Sequence, residues 1–246
     1  MTMDTLTTMG MSMVPIANMT DPALYRLMAW LSPAYPVGAF SYSHGLEWLV
    51  ESGAVKNARD LTTWVTDILI HGGGRNDAIF FACAHKAAAA GDMNELREIA
   101  ALAGAYAASA ERHLETTAQG AAFSTTTRKA WKSRTLDILG GVLGDGQPLA
   151  YPVAVAAAAA DHGIALSPAL LAYLQAFAAN LVSAGLRLIP LGHTDGQITL
   201  TQLEGPVTQA AEIGMTHSLD GLGGAAILAD IAAMKHETQY TRLFRS

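Results

Sequence analysis

The feature that most limits how this chain can fold is a stretch, residues 164–186, that contains no charged side chain. A stretch of that length is either a buried helix or a helix long enough to span a bilayer. It includes Ser167, Gln175 and Asn180, many of its apolar residues are alanine, and Arg187 follows it directly. These residues favour a helix buried at the centre of a bundle, and we expect no membrane contact.

The same stretch shows the periodicity of one long helix, with apolar residues every three to four positions. The members of this apolar line are Leu166, Leu170, Leu174, Phe177, Leu181 and Leu188. A Ser-Pro pair is typical of a helix start, so we predict a helix from Ser167 to about Leu188. Another face carries Tyr173, Asn180 and Arg187 at intervals of seven, which keeps them within about 20° of one another. We expect this polar seam to contact another protein.

Helical patterns dominate the rest of the chain, and we find no convincing alternating pattern of a strand. The other predicted helices cover residues 23–31, 41–53, 61–70, 77–90, 92–110, 111–134, 152–160, 199–214 and 222–238. Prolines and glycines in 32–38 and 140–147 separate them. We predict an all-α fold, a single-domain bundle of roughly nine or ten helices. Residues 1–20 are expected to form a flexible tail, 21–238 the helical domain and 239–246 a C-terminal tail.

Charge and cysteine content narrow the functions open to the chain. Charged residues are 15% of the sequence, against about 25% in a typical soluble protein, which fits a surface largely covered by partners. The formal net charge of −6 argues against a nucleic acid as the main ligand. Cys83 is the sole cysteine, which excludes an intrachain disulfide and a multi-cysteine zinc site. Residues 1–20 lack the features of a signal peptide, so a reducing, cytoplasmic location is expected.

Two short motifs are similar to catalytic ones but lack the required context. Residues 41–45 are close to the nucleophile elbow of hydrolases, which needs glycine in place of Ser41 and a strand before the serine. A proline-rich loop precedes them here. The glycines at 72–74 lack the lysine of a P-loop, so any nucleotide would be bound by a partner. We predict that the chain is not an enzyme; a hydrolase using Ser43 is the alternative.

The histidines do not form a recognisable metal motif. His44 and Glu47 are three apart and could share one helix face, but no second such pair is present. Cys83 and His85 are two apart, which places them on different faces of a helix. We predict no resident metal or other cofactor. The alternative, a protein that binds metal directly, would use His44, His71, His85 or Cys83.

Two further segments are candidates for protein contacts. Arg128, Lys129, Lys132 and Arg134 form a local basic cluster, which is either a solvated helix face or a partner contact. Residues 239–246 combine tyrosine, leucine, phenylalanine and two arginines, whereas terminal residues are normally small or polar. Because tyrosine and arginine are enriched in interface hot spots, we expect this tail to bind another protein. The alternative is that it folds back on its own bundle.

Four segments, occurring in the same order, resemble the UreF family of urease accessory proteins. They are residues 31–47, 74–78, 188–197 and 236–246. The motif residues of the first segment are Ser32, Pro36, Gly38, Ser41, Ser43, Gly45 and Glu47. His193 departs from the glutamine of many relatives, and the Met-rich N-terminus lies outside the match. The resemblance spans about residues 23–246.

The resemblance implies an all-α accessory protein, usually a homodimer, that acts in nickel insertion into the urease apoprotein. Such proteins join the accessory protein UreD, also called UreH, and recruit the GTPase UreG, which couples GTP hydrolysis to metal delivery. In the family the C-terminal tail helps to bind UreD. That contact would be made here by Tyr240, Arg242, Leu243, Phe244 and Arg245.

The resemblance does not say which residues form the dimer or meet the GTPase. Our candidates for that interface are Tyr173, Asn180, Arg187, Asp195 and Gln197. The sequence therefore favours an adaptor that links partner proteins, and the alternative is a nickel-binding metallochaperone.

Overall fold

The structure is a computed structural model and describes residues 22–142 and 149–246. In these two segments the chain forms twelve α-helices and no strand. The helices are α1 (Pro22–Trp30), α2 (Leu46–Glu51), α3 (Ala58–His71), α4 (Gly73–Ala90), α5 (Met93–Ala105), α6 (Ala110–Ala130), α7 (Arg134–Val142), α8 (Tyr151–Asp161), α9 (Leu166–Leu188), α10 (His193–Gln202), α11 (Glu204–Thr216) and α12 (Ile227–His236). The all-α, single-domain prediction is confirmed. The predicted flexible tail, residues 1–20, lies outside the described residues.

Two local features raise the helix count above the predicted nine or ten. Helix α7 begins at Arg134 and extends into residues that the sequence predicts as a turn. The predicted helix over 199–214 is divided into α10 and α11, which meet at Leu203. Helix α10 also begins early, because the side chain of Asp195 accepts the backbone N–H of Gly192 (2.8 Å) and caps the first turn.

Helix α12 is shorter than the predicted 222–238, because the residues before it form other hydrogen bonds. The backbone N–H of Gly223 donates to Oδ1 of Asn76 (3.0 Å), and that of Ala225 donates to the carbonyl oxygen of His71 (2.8 Å). These bonds tie the segment to the junction of α3 and α4. Helix α12 therefore begins only at Ile227.

The alanine-rich helix α8 lies at the centre of the bundle. Every residue from Pro152 to Ala159 is buried, as expected for a helix that is apolar all round. Helices α4 and α6 pack against it, and the small alanine side chains permit a close approach. A Cβ at Gly120 of α6 would clash with the carbonyl oxygen of Leu149, so the backbone of α6 is in direct contact with the residues that lead into α8.

Helix α9 is long and apolar enough, by length and composition alone, to cross a membrane. Half of its most apolar 18-residue stretch is buried inside the bundle. Leu170, Leu174 and Leu181 of the predicted apolar line have no more than traces of exposed surface. Helix α9 packs against α3, α4, α8 and α11, which is the environment of a core helix.

The start of α2 directs polar residues into the bundle. His44 and Gly45 both have left-handed backbone conformations, with φ of 57° and 78°. This turn delays the helix until Leu46 and places Ser43, His44 and Glu47 in the interior. A Cβ at Gly45 would lie 2.6 Å from the backbone nitrogen of Ala233, because α12 crosses α2 at this point.

Candidate functional site

Residues 243–246 of the tail fold back onto the start of α2. The backbone N–H of Ser43 donates to the carbonyl oxygen of Ser246 (2.6 Å), and the hydroxyl of Ser43 donates to the same oxygen. The backbone N–H of Arg245 donates to the carbonyl oxygen of Ser41 (2.7 Å). Ser246 is fully buried. The structure therefore shows the folded-back alternative for the end of the tail.

The carboxylate of Glu47 fixes the path of the tail. Its Oε1 accepts the backbone N–H of Leu243 (2.6 Å), and its Oε2 accepts that of Phe244 (2.9 Å). Oε2 also lies 3.1 Å from Nε2 of His236. Because Glu47 is buried, its negative charge depends on these donors in place of water. One side chain of α2 thus holds the tail and the end of α12 together.

His236 is fully buried between two carboxylates. Its Nδ1 lies 2.8 Å from Oε2 of Glu111, and its Nε2 faces Glu47. Nη1 of Arg242 approaches the other oxygen of Glu111 at 2.9 Å. Burial raises the pKa of Glu111, while the hydrogen bond from His236 and the charges of His236 and Arg242 oppose that rise.

Glu115, one helical turn beyond Glu111, is the centre of a second group of buried contacts. Its carboxylate accepts from the hydroxyl of Ser246 (3.1 Å) and from Nε2 of Gln119 (3.1 Å), and it is paired with Arg112. Nε2 of His44 lies 2.8 Å from Oε1. Burial alone would raise the pKa of Glu115, but Arg112 and His44 outweigh it and lower the pKa to about 2. The carboxylate is therefore ionised.

Tyr173, which is buried, and Asp77, which is half-buried, form a hydrogen-bonded pair near Arg112. The hydroxyl of Tyr173 donates to Oδ2 of Asp77 (2.9 Å). Burial raises the pKa of Asp77 to about 6, against the opposing charge of Arg112. His44, Asp77, Arg112 and Thr116 line two neighbouring cavities of about 500 and 440 Å³. Titratable groups thus form the wall between these cavities.

Helix α12 and the tail each expose large apolar side chains to solvent. We call this the tail surface; its members are Ile227, Leu228, Ile231, Met234, Tyr240 and Leu243. Tyr240 is fully exposed and Leu243 is 65% exposed, although both sit beside a segment fixed by buried hydrogen bonds. Clustered apolar side chains of this kind are typical of a protein contact.

The remaining predicted tail residues divide between surface and interior. Arg245 is exposed, as the prediction of a partner contact requires. Phe244 is only 4% exposed, and its ring lies 4.2 Å from the guanidinium carbon of Arg187. Arg242 is bound to Glu111. Phe244 is therefore part of the fold, and its contact with a partner would require the tail to move.

The motif loop of 31–47 contributes to the site mainly through its second half. Ser41, Ser43 and Glu47 form hydrogen bonds with the tail, and Gly45 lies against α12, whereas Ser32, Pro36 and Gly38 lie in the loop before α2. Ser32 caps the end of α1 by donating to the carbonyl oxygen of Ala29 (3.1 Å). The hydroxyl of Ser43 donates to a backbone carbonyl, so it is not poised as a nucleophile beside a base.

The three residues of the predicted polar seam on α9 are not all exposed. Tyr173 is 2% exposed and points inward, so its assignment to a protein contact is wrong for this conformation. The seam passes from interior to surface along α9, because Asn180 is half-buried and Arg187 is exposed. Asp195 is half-buried and caps α10, and Gln197 is exposed. For the four residues other than Tyr173, the dimer or GTPase contact stays a prediction.

Within the described residues, no group of three or more histidine, cysteine, aspartate or glutamate side chains is arranged to hold a metal ion. Nε2 of His85 lies 2.8 Å from the carbonyl oxygen of Ile164. His44 is engaged by Glu115, and Cys83 is half-buried with a pKa raised by that burial. The candidate ligands therefore do not converge on one point.

Sequence reasoning missed the acidic face of α6. Glu111, Glu115 and Gln119 recur every four residues, so they lie along one line of the helix. All three are buried, an unusual position for such side chains. The four-residue spacing indicates that these side chains share one face of α6. The sequence does not show that His236 and Ser246, which are distant along the chain, contact that face.

The chain is similar to known proteins over most of its length. The profile of the UreF family matches residues 55–204. A Rhodopseudomonas palustris (strain BisB5) protein named urease accessory protein UreF is 52% identical over 239 residues, which cover 96% of each chain. Proteins of the same name are 51% identical in Bradyrhizobium sp. (strain BTAi1), over 94% of this chain and 95% of the relative, and 50% identical in Bradyrhizobium diazoefficiens, over 91% and 92%. Their name describes an accessory protein and not an enzyme, as the sequence predicts.

Proposed function

Because this chain belongs to the UreF family of urease accessory proteins and thus takes part in urease maturation, we propose that it acts there as an adaptor. It binds UreD through the tail surface and recruits the GTPase UreG, so that nickel is inserted into the urease apoprotein. It works in the cytoplasm and as a homodimer. The chain supplies contact surfaces, while the GTPase supplies the nucleotide chemistry.

The observation that carries this proposal is the pairing of a fixed tail with exposed apolar side chains. The backbone of Leu243 is held by Glu47 at 2.6 Å, yet its side chain is 65% exposed. A flexible terminus would lose conformational entropy on binding a partner, whereas a segment already held in place loses little. Tyr240, Leu243 and the outer face of α12 are therefore suited to a protein contact of high affinity.

A second surface is needed if the chain links two partners. The candidates are Asn180, Arg187, Asp195 and Gln197, which lie on α9 and α10. Arg187 is exposed apart from its contact with Phe244. This position suits either the homodimer or the GTPase contact, and Arg187 connects it to the buried end of the tail.

Reconstitution of urease activation tests the proposed function. Apo-urease, UreD, UreG, GTP and nickel are combined with wild-type chain, with no chain, or with the Tyr240→Ala/Leu243→Asp variant. We expect the wild type to restore urease activity and the variant to resemble the omission. Equal activation with and without the chain would overturn the proposal.

Equilibrium dialysis of the isolated chain against nickel distinguishes the adaptor proposal from the alternative of a nickel-binding metallochaperone. An adaptor retains no stoichiometric nickel after mild chelation. Stoichiometric retention would support the alternative, in which the chain itself carries the metal.

A further inference from the structure

Helix α1 exposes an apolar face. Leu24, Tyr25 and Met28 are spaced so that they share one side of the helix, and each has more than half of its surface exposed. Leu27 and Trp30, on the opposite side, are buried in the core. The packing of α1 against the core therefore does not require apolar side chains at Leu24, Tyr25 and Met28.

The end of α6 places basic side chains beside this face. The rings of Tyr25 and Trp131 are 6.3 Å apart, which joins α1 to the turn after α6. Lys129 and Lys132, on either side of Trp131, are exposed. Burial and the nearby charge of Arg26 lower the pKa of His162, whose imidazole also meets the backbone of Lys132.

We use the name α1 patch for the apolar residues and this basic rim together. Its members are Leu24, Tyr25, Met28, Arg26, Lys129, Lys132 and Arg134. It shares no residue with the tail surface.

Two of the basic residues occupy positions where local structure disfavours them. Lys132 has φ of 58°, a left-handed conformation that glycine or asparagine adopts more readily. Arg134 is the first residue of α7, where a positive charge opposes the helix dipole. The charge of Lys132 is favourable at the C-terminus of α6, so it is the backbone conformation of Lys132 and the position of Arg134 that helix stability does not explain. Unfavourable backbone conformations that persist in a folded protein occur often at functional sites.

Within the part of the chain that the structure describes, the positive charges of the rim have no acidic partner. Across residues 22–142 and 149–246, none of Arg26, Lys129, Lys132 and Arg134 forms an ion pair. Two acids close to the rim in sequence or in space have other partners. Asp137 pairs with Arg128, and Asp161 accepts from the side chains of Ser133 and Thr135. The rim is thus a positive corner on a chain whose formal net charge is −6.

We propose that the α1 patch is a second docking surface, which binds an acidic surface of a partner protein in the urease assembly. The choice of partner rests on the proposed function. The partner places aspartate or glutamate opposite the rim and an apolar side chain over Leu24 and Met28. Charge complementarity selects a protein of this kind, and aromatic, methionine and arginine side chains are enriched in such interfaces. A long polyanion or an anionic membrane would be repelled by the rest of this acidic chain.

The test measures the binding of the full chain to purified UreD, UreG and urease apoprotein of the same organism, at low and at high ionic strength. The first variants are Lys132→Glu/Arg134→Glu and Met28→Asp. A third, Lys132→Gly, removes the charge and relieves the left-handed strain, so it should fold at least as stably as the wild type. The matched control is Lys56→Glu/Arg59→Glu, which reverses two exposed charges near the start of α3.

For one of the three partners we expect the double charge reversal and Met28→Asp to weaken binding by at least roughly tenfold. Lys132→Gly should weaken it less, and the control should bind like the wild type. Binding should also weaken at high ionic strength. If all patch variants bind every partner like the wild type, the proposal is overturned. Loss of binding to phosphatidylserine vesicles, with protein binding unchanged, would also overturn it and assign the patch to a membrane.

The Leu243→Asp variant, measured in parallel, keeps the two proposals apart. If it loses UreD while the patch variants lose nothing, the α1 patch proposal fails and the proposed function stands. If wild-type chain binds none of the three partners, both fail.

Discussion

Glu47 and His236 are 189 positions apart in the sequence, yet Oε2 of Glu47 lies 3.1 Å from Nε2 of His236. The same carboxylate accepts the backbone N–H groups of Leu243 and Phe244. Helix α2, the end of α12 and the tail are therefore held by one buried side chain. Since the exposed face of Leu243 belongs to the tail surface, the shape of that surface depends on an interior contact.

The first prediction concerns Glu47→Gln. Glutamine offers one carbonyl oxygen, and its NH₂ group would face donors, so the tail should detach and His236 should lose a charged partner. We expect a loss of roughly 2–4 kcal/mol in the free energy of unfolding. Urea denaturation measures that loss, and faster trypsin cleavage at Arg242 and Arg245 reports detachment of the tail.

Glu98→Gln is the matched control for this change, because Glu98 is exposed on α5. It should leave both measurements unchanged. Wild-type stability together with wild-type protease resistance in Glu47→Gln would contradict the role given to Glu47.

The second prediction compares two glycines that have the same backbone conformation. Gly45 and Gly91 have φ of 78° and 73°, but a Cβ at Gly45 would lie 2.6 Å from the backbone of Ala233, and one at Gly91 would meet nothing within 4 Å. Gly91→Ala should cost about 1 kcal/mol from the left-handed conformation alone. Gly45→Ala should cost at least about 2 kcal/mol more, because α12 must shift away from α2. Equal losses in thermal unfolding would show that this contact is not tight.

The third prediction concerns the pH dependence of stability. The pKa of Asp77 is raised to about 6, above its ordinary value of 3.8. Asp77 therefore favours the folded state most below about pH 4, and that contribution is lost as the pH rises through about 6. Asparagine stays neutral at every pH. Relative to the wild type, the free energy of unfolding of Asp77→Asn should rise by roughly 1–3 kcal/mol between about pH 4 and pH 7.

Urea denaturation across this pH range measures the difference. Asp67→Asn, at an exposed position on α3, should show no such pH dependence. A difference between Asp77→Asn and the wild type that stays constant, or shrinks as the pH rises, would contradict the assignment.

The fourth prediction addresses the hydrolase alternative. The hydroxyl of Ser43 donates to the carbonyl oxygen of Ser246, and Ser43 is fully buried. A fluorophosphonate probe should therefore not label it, and Ser43→Ala should lower stability by about 1 kcal/mol. Labelling of the wild type that is absent in Ser43→Ala, detected by mass spectrometry, would revive the alternative.

The helices could be predicted because their signals are local. The line of leucines in α9 and the alanines of α8 specify helices without reference to the rest of the chain. Boundaries were predicted less well where a distant group competes for the backbone, as Asn76 and His71 do before α12. The division at Leu203, by contrast, has a local signal in Gly205 and Pro206, which the prediction of one helix over 199–214 did not use.

The candidate site was predicted only in its exposed part. Tyr240 and Leu243 attract attention because large apolar residues are unusual in such a segment. The partners of Glu47 and Glu115 come from α6, α12 and the tail, and no local pattern brings these elements together. Tyr173 was misplaced for the same reason, since the spacing of the seam does not show that Asp77 of α4 accepts a hydrogen bond from the Tyr173 hydroxyl.

The folded-back tail also changes how a partner contact should be tested. Deletion of residues 240–246 would remove Ser246 and the backbone donors to Glu47, so the buried carboxylates of Glu47 and Glu115 would each lose hydrogen bonds. A failure of that variant to bind UreD could reflect damage to the fold. A substitution at an exposed tail residue avoids this difficulty.

The most direct test of the adaptor proposal is the dissociation constant of UreD for wild-type chain and for Leu243→Asp, with Glu98→Gln as the control. The substitution leaves the backbone N–H that binds Glu47 in place, so the urea midpoint should be unchanged. We predict at least a roughly tenfold weaker complex, about 1.4 kcal/mol. Wild-type affinity in a correctly folded Leu243→Asp variant would contradict the claim that this surface binds UreD.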